Sequence, residues 1–171
     1  AVAAQAEVAI GESGPWRRVM AMVEAAAAAD SVVLFTGESG TGKELLARRL
    51  HALSSRAAGP FVKVNCAAVP LEMWESEFFG HRKGSYAGAA TDREGRFQLA
   101  HRGSLLLDEV GAMPPAGQAK LLRAIQDGEF ERLGDDQATR VDVRVIASTN
   151  SDLEAEVQQG RFRADLFYSL N

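Results

Sequence analysis

A chain of 171 residues with 46% hydrophobic and 25% charged residues has the composition of one globular domain with a buried core. Its net charge of −4 argues against a broad basic face for DNA, and its single cysteine excludes an internal disulfide. The sequence has no apolar run of the roughly 20 residues that cross a membrane, and residues 1–12 do not resemble a signal peptide. We therefore expect a cytoplasmic protein that contacts no membrane and reaches DNA only through a separate domain.

Strand and helix patterns alternate along the first part of the sequence. Ser13 and Pro15 predict the start of a helix, and apolar residues follow at helical spacing. Residues 32–35, VVLF, predict a strand covered on both faces. Leucines between residues 45 and 53 predict a second helix, and residues 60–66, PFVKVNC, predict a second strand.

The alternation continues in the second half. Residues 104–109, SLLLDE, predict a buried strand, and Pro114 and Pro115 predict a helix that Gly128 can end. Residues 141–150, VDVRVIASTN, predict another strand. Strands that alternate with helices indicate an α/β fold with a parallel sheet.

Two stretches interrupt this alternation. Residues 80–95 are rich in glycine, charged and small residues, which is typical of a loop. Residues 129–143 predict a hairpin that turns at residues 134–136, GDD. Both stretches could be ordinary surface loops.

The sequence GESGTGKE lies between the first predicted strand and the second predicted helix. In this setting a glycine-rich loop binds phosphate, because glycines permit a tight turn and the helix N-terminus presents N–H groups to the anion. Lys43 would contact the β- and γ-phosphates of ATP. The alternative is a glycine-rich turn with an incidental lysine. The predicted ATP-binding residues are Gly37, Glu38, Ser39, Gly40, Thr41, Gly42, Lys43 and Glu44.

Glu44 stands where phosphate loops usually have a serine or threonine that binds magnesium. Magnesium would therefore be held mainly through water and other groups. Two acids at the end of a predicted strand supply such groups, because open α/β sheets bind ligands there. Asp108 would orient Mg²⁺ and its water, and Glu109 would be the general base that polarises the attacking water. The alternative is that both acids cap the next helix.

Asn65 and Asn150 also end predicted strands. An amide at this place can reach the γ-phosphate or the attacking water. The alternative for each is a turn or cap residue, which is the commoner use of asparagine.

Several stretches, in this order along the chain, resemble the central domain of the sigma-54-dependent transcriptional activators, or bacterial enhancer-binding proteins. They are GESGTGKE, PFVKVNCAA, ESEFFGH, LLLDEV, QAKLLRAIQDGEFERLG, VRVIASTN and GRFRADLFYSLN. That family belongs to the AAA+ ATPases, and in it Glu is the usual residue at the position of Glu44. The resemblance runs from about Ile10 to Asn171.

The resemblance implies a three-layer P-loop AAA+ core in one domain, residues 1–171, that assembles into a hexameric or heptameric ring. It also implies that the last core strand, the helical lid, and the regulatory and helix-turn-helix DNA-binding domains lie outside this chain. Movement driven by ATP hydrolysis would remodel the closed promoter complex of RNA polymerase with sigma-54.

The resemblance assigns roles to individual residues as well. Asn65 would couple Glu109 to the state of the nucleotide, and Asn150 would sense the γ-phosphate. Arg163 would be an arginine finger that reaches the ATP of a neighbouring subunit. Without the resemblance, Arg163 would be interpreted as an ordinary surface arginine.

The two interrupting stretches also acquire roles by resemblance. Residues 81–90, HRKGSYAGAA, resemble the GAFTGA loop that touches sigma-54, and residues 129–143 would be a hairpin that moves with it. The predicted sigma-54 contacts are Gly84, Ser85, Tyr86, Ala87, Gly88 and Ala89.

Two positions depart from the family pattern. Ala87 replaces the threonine of GAFTGA and so lacks its hydroxyl, whereas Tyr86 keeps the aromatic ring. Ser169 stands where a second arginine is usual, which puts full activation by the neighbouring subunit in doubt. The alternative function is therefore a nucleotide-binding transcription regulator of the same fold that has lost the sigma-54 contact. An unrelated P-loop phosphotransferase is disfavoured by the matches at VNCAA and FRADL.

Overall fold

The structure, a computed structural model, describes residues 13–171. The segment in which we expect no signal peptide, and the first residues of the family resemblance, lie outside the described residues. In chain order the elements are α1 (Gly14–Ala28), β1 (Val33–Thr36), α2 (Lys43–Leu53), β2 (Phe61–Asn65), α3 (Trp74–Phe79), β3 (Gly80–His81), β4 (Arg93–Glu94), α4 (Arg96–Leu99), β5 (Ser104–Asp108), a 3₁₀ turn (Val110–Ala112), α5 (Pro115–Asp127), β6 (Glu129–Glu131), β7 (Ala138–Arg140), β8 (Arg144–Thr149), α6 (Leu153–Gln158) and α7 (Ala164–Leu170).

The predicted helix signals mark real helix ends. Ser13 caps α1, since its hydroxyl accepts the backbone N–H of Trp16, and Pro15 lies in the first turn. Pro115 opens α5, and Gly128 ends it in the left-handed conformation, with φ at 66°. These residues act as expected because each supplies a backbone conformation or a hydrogen bond that a helix end requires.

Four strands form one parallel sheet in the order β1–β8–β5–β2, with β1 and β2 outermost. Asn65 at the end of β2 pairs with Asp108 at the end of β5, and Thr36 of β1 pairs with Thr149 of β8. The last residues of all four strands therefore lie side by side, at what we call the carboxyl end of the sheet.

Side chains of the central strands alternate between two apolar cores. Leu106 and Ile146 pack on one face against α1 and α2. Leu105, Leu107 and Val145 pack on the other face against residues of α5, α7 and neighbouring elements. Helices thus cover both faces, which is why these strands are apolar throughout. The predicted three-layer α/β fold is confirmed.

The last strand of the sheet is shorter than the pattern predicts. We expect residues 141–150, but β8 comprises only Arg144–Thr149. Val141 instead donates its backbone N–H to the carbonyl of Gly128, and Asp142 accepts the N–H of Arg102. The alternating residues before β8 are therefore bonded to two loops and lead into the sheet without belonging to it.

The two interrupting stretches form small antiparallel pairs outside the main sheet. In the first, β3 and β4 pair at the base of a loop comprising residues 82–92. In the second, β6 and β7 form the predicted hairpin, residues 129–140, and Gly134 in its turn has φ at 77°. Among the helices of residues 13–171, none has the length and hydropathy of a membrane-spanning segment.

Candidate active site

The phosphate loop connects β1 to α2 at the carboxyl end of the sheet. Gly40 and Gly42 have φ values of 80° and 86°, a conformation that strongly favours glycine. Thr41 closes the turn by donating its hydroxyl to the carbonyl of Glu38, at 2.7 Å. The amino group of Lys43 donates to the carbonyls of Gly37 and Glu38, at 2.7 Å each. The loop is therefore closed by its own hydrogen bonds, and Lys43 is bonded to its first residues.

The first turn of α2 follows the loop directly. Gly42 precedes the helix and offers no side chain to cap it. The first N–H groups of a helix have no partner within that helix, and they carry its positive dipole. The end of α2 is therefore available to a phosphate group in front of the loop.

Asp108 is the last residue of β5, which is one of the two central strands of the sheet, and Glu109 follows it. One carboxylate oxygen of Asp108 accepts the hydroxyl of Ser148 at 2.6 Å. Glu109 has φ at 54° and ψ at 52°, which is uncommon for a residue with a side chain. Its carboxylate accepts the backbone N–H of Asn150 at 3.1 Å. Such a backbone conformation costs stability, and residues held in it are found most often at active sites.

The two predicted asparagines lie on either side of these acids. The side-chain oxygen of Asn65 accepts the N–H of Ala67 at 3.0 Å, so it stabilises a turn after β2. The side-chain nitrogen of Asn150 donates to the hydroxyl of Ser39 in the phosphate loop, at 3.1 Å. Asn150 therefore connects the phosphate loop with the backbone that holds Glu109.

One cavity, of about 720 Å³, brings these groups together. Its walls come from the phosphate loop, the ends of β2, β5 and β8, and the turns after them. Gly37 and Thr41 instead line an adjoining apolar groove, together with Lys43. The cavity is lined by Ser39, Gly40, Gly42, Lys43, Glu44, Asn65, Ala67, Asp108, Glu109, Gly111, Ala112, Asn150 and Ser151.

Lys63 is a residue of the site that we did not predict. Its amino group lies 2.5 Å from one carboxylate oxygen of Glu44 and 3.5 Å from Asp108. The hydrogen bond between Lys63 and Glu44 lowers the pKa of Glu44 and raises the pKa of Lys63. The signal was present in the sequence, because Lys63 lies two residues before Asn65 on a strand and so points to the same face.

The groups around Asp108 fit a magnesium ion bound largely through water. Carboxylate oxygens suit Mg²⁺, which commonly keeps several waters when it binds one or two carboxylates and the phosphates of a substrate. Within residues 13–171, no cluster of three or more acidic, histidine or cysteine side chains could enclose an ion. Asp108 would therefore hold the ion together with the nucleotide, and not as part of a closed protein cage.

Arg163 lies outside the cavity, just before α7. Its guanidinium donates to both carboxylate oxygens of Asp165, at 3.0 and 2.8 Å. Its backbone N–H is held by the side chain of Gln118 at 2.8 Å. The arginine is about half exposed, with 48% of its side chain accessible. Its backbone is thus fixed while its charged group remains at the surface.

The predicted contact loop, residues 84–89, is a compact turn that contributes no residue to the lining of the cavity. Gly84 donates its N–H to the carbonyl of Ala89 at 2.8 Å, and Ala89 is buried. The ring of Tyr86 rests edge-on against His81, with 5.1 Å between ring centroids, and is 43% exposed. The loop therefore presents an aromatic ring and the small residue Ala87 at the surface.

The hairpin of β6 and β7 contacts this loop and the residues just before it. Arg82 donates its backbone N–H to Leu133, and its guanidinium pairs with Asp135 at 2.9 Å. Gly134 packs so closely on Ser85 that an added Cβ would lie 2.5 Å from the serine Cβ. The two stretches that interrupt the fold are thus one structural unit, which is consistent with the expectation that they move together.

A strand, a glycine loop and a helix, with two acids at the end of another strand of the same parallel sheet, define a P-loop nucleoside triphosphatase. The P-loop NTPase domain of the sigma-54 transport activator from Escherichia coli has the same fold, with a TM-score of 0.62 at 20% identity over 94% of this chain and 92% of that one. NtrX from Brucella abortus, solved in complex with ADP, has a TM-score of 0.89 at 42% identity, over 97% of this chain and 36% of NtrX.

The sigma-54 interaction domain family matches residues 9–171. The chain belongs to this family and is a P-loop AAA+ ATPase domain of the sigma-54 activator type. The Nif-specific regulatory protein of Azorhizobium caulinodans is 54% identical over 162 residues, which are 95% of this chain and 26% of the relative. Regulatory protein AtoC of Escherichia coli is 60% identical over 139 residues, 81% of this chain and 30% of AtoC. The chain thus spans less than a third of these relatives.

Proposed function

We propose that this domain hydrolyses ATP and uses the movement of residues 84–89 to remodel RNA polymerase that carries sigma-54. The single observation that carries the proposal is the convergence of Lys43, Asp108, Glu109 and Asn150 on one cavity at the carboxyl end of the sheet. These are the groups that bind phosphate, orient magnesium and activate water in phosphoryl transfer. The family match supports the choice of sigma-54 as the partner.

In this mechanism, the loop N–H groups and Lys43 bind the β- and γ-phosphates. When bound, Mg²⁺ neutralises phosphate charge. Glu109 accepts a proton from a water molecule that attacks the γ-phosphorus, and ADP leaves as the bond to its β-phosphate oxygen breaks. Two of the three N–H groups of Lys43 donate to the carbonyls of Gly37 and Glu38, which leaves the third to donate to a phosphate oxygen.

Three further residues, Asn150, Asn65 and Arg163, assist this reaction. Asn150, which contacts Ser39 and Glu109 at once, reports the γ-phosphate to the general base. Asn65 couples Glu109 to the state of the nucleotide, and its side-chain oxygen gives up the hydrogen bond from the Ala67 N–H when it does so. Arg163 stabilises charge on the γ-phosphate of a neighbouring subunit in a hexameric or heptameric ring. We place the protein in the cytoplasm, with DNA binding in a separate domain.

Two variants test the ATPase roles in the protein that contains this chain. Lys43→Ala removes the charged phosphate contact and should weaken ATP binding by about a hundredfold. Glu109→Gln should retain binding and lower turnover by about a hundredfold or more, the usual contribution of a general base. Glu154→Gln, an exposed acid of α6, is the matched control and should change neither. If Glu109→Gln hydrolyses ATP at the unmutated rate, the general base is another group.

Ala87 favours a second candidate function, a nucleotide-binding regulator that no longer contacts sigma-54. Binding to sigma-54 in the presence of a transition-state analogue separates the two. Capture of sigma-54 supports the remodelling function. Nucleotide-dependent assembly without any capture supports the second.

A further inference from the structure

Glu44 occupies an electrostatically awkward position for a nucleotide site. It lies in the first turn of α2, directly after Lys43, and it lines the same cavity as Asp108 and Glu109. The positive end of a helix attracts any anion, so an unrestrained carboxylate there competes with phosphate for the helix N–H groups. A carboxylate facing a triphosphate also repels it.

In the structure this carboxylate is restrained on both of its oxygens. Arg48, one turn later, donates to one oxygen at 3.1 and 2.8 Å. Lys63, from the neighbouring strand β2, donates to the other at 2.5 Å. The two cations thus neutralise Glu44 and fix its direction from opposite sides.

The two cations differ in what else they contact. The amino group of Lys63 also lies 3.5 Å from the carboxylate of Asp108, and 33% of the Lys63 side chain is exposed. Ser148 holds the other oxygen of Asp108 at 2.6 Å. Lys63 therefore connects the acid after the phosphate loop with the acid at the end of β5, whereas Arg48 pairs with Glu44 on the surface of α2.

We propose that Lys63 is a positioning residue for nucleotide binding, which neutralises Glu44 and holds it beside Asp108 so that the phosphates meet a cavity with less negative charge. The inference rests on the proposed ATP site. It explains how a phosphate loop with Glu44 in place of a hydroxyl residue still accepts a polyanion, because Lys63 on β2 neutralises that acid.

The test is ADP binding in magnesium-free buffer, measured with a fluorescent ADP analogue and competed with unlabelled ADP. Lys63→Met keeps the length of the side chain and removes its charge, and it should weaken binding by about fivefold. In a Glu44→Gln background, the same substitution should weaken binding by only about twofold, because Lys63 then has only the Asp108 carboxylate left to neutralise. Lys63→Arg should bind within about twofold of the unmutated protein, since it keeps the charge.

Arg48→Gln is the matched control, because it removes the other partner of Glu44 and leaves Lys63 in place; it should cost less than about twofold. Circular dichroism confirms folding, and Lys63→Gln replaces Lys63→Met if the latter does not fold. An equal loss from Lys63→Met in both backgrounds, or a loss with Lys63→Arg as large as with Lys63→Met, overturns the inference. Lys43→Ala separates this outcome from failure of the ATP site, since unaltered ADP binding in Lys43→Ala would contradict that site itself.

Discussion

The phosphate loop and the loop of residues 84–89 are both glycine-rich turns, yet their surroundings differ. In the first, Lys43 and Thr41 bond to carbonyls of the loop itself, and the loop is continuous with a strand of the buried sheet. The second also closes on itself, through the bond from Gly84 to Ala89, but it rests on a separate hairpin outside the main sheet.

Ion pairs of the partly exposed Arg82 add to the backbone bond from Arg82 to Leu133 and to the close packing of Gly134 on Ser85, which together hold the second loop. Arg82 pairs with Asp92 and Asp135, and 43% of its side chain is exposed. Exposed pairs of this kind contribute little net stability, because water and salt screen them. In the proposed mechanism, the nucleotide site is the fixed end of the sheet, and the loop and hairpin are the part that changes position. A domain that converts hydrolysis into movement needs both.

The largest expected effect is at Arg163, which lies outside the cavity of the nucleotide site. If it acts on a neighbouring subunit, Arg163→Ala should reduce ATP turnover by about a thousandfold and leave nucleotide binding intact. Arg161→Ala is the control, because Arg161 lies two residues earlier and forms a similar surface pair with Glu156. Its turnover should stay within about twofold.

Mixing subunits tests whether Arg163 acts between copies. Arg163→Ala subunits keep a working ATP site, and Lys43→Ala subunits keep the arginine, so mixed rings should recover part of the turnover. Specific activity should also rise with protein concentration. A rate that does not depend on concentration, from a monodisperse monomer, would show that the nucleotide site is complete within one chain.

The fixed region was also the part of the molecule that the sequence predicted best. Its strands are apolar runs, and its functional residues stand where those runs end, as at Asp108 and Asn150. Residues that depend on a neighbouring strand were harder to predict. Lys63 has an ordinary place in the pattern of β2, and only the pairing of β2 with β5 brings it near Asp108.

The movable region could not be derived from residue patterns alone. Residues 80–95 predict only a loop, and the role that we propose for them comes from the family resemblance. Its attachment depends on Arg82 meeting Asp135, which lies 53 residues later in the turn of the hairpin. Likewise, alternation before β8 suggested a longer strand, since a period of two cannot tell sheet pairing from bonds to loops.

A smaller effect is expected at the contact between loop and hairpin. In Gly134→Ala the new Cβ would lie 2.5 Å from the Cβ of Ser85, and φ at 77° adds strain. The loop should be displaced, lowering sigma-54 capture with a transition-state analogue by about tenfold while ATP turnover stays within about twofold.

Gly160→Ala is the control for backbone strain, because Gly160 has φ at 74°, but no atom of residues 13–171 other than its chain neighbours would lie within 4 Å of an added Cβ. It should leave capture near the unmutated level. A parallel fall of turnover and capture in Gly134→Ala would mean that the loop and the nucleotide site are not separable as proposed.

The smallest effect is expected at the tip of the loop, where Ala87 lacks the hydroxyl of the family consensus. Ala87→Thr adds one hydrogen-bonding group, worth about 0.5–1.5 kcal/mol in a typical contact. Capture of sigma-54 should therefore improve by a few-fold, up to about tenfold. Tyr86 keeps an exposed ring on the same turn, so part of the contact is already available to the natural protein. ATP turnover should not change, because the added group lies on the movable loop and does not reach Lys43 or Glu109. Equal capture before and after the substitution would show that the missing hydroxyl is neutral, and the alternative of a regulator without sigma-54 contact would then lose its main support.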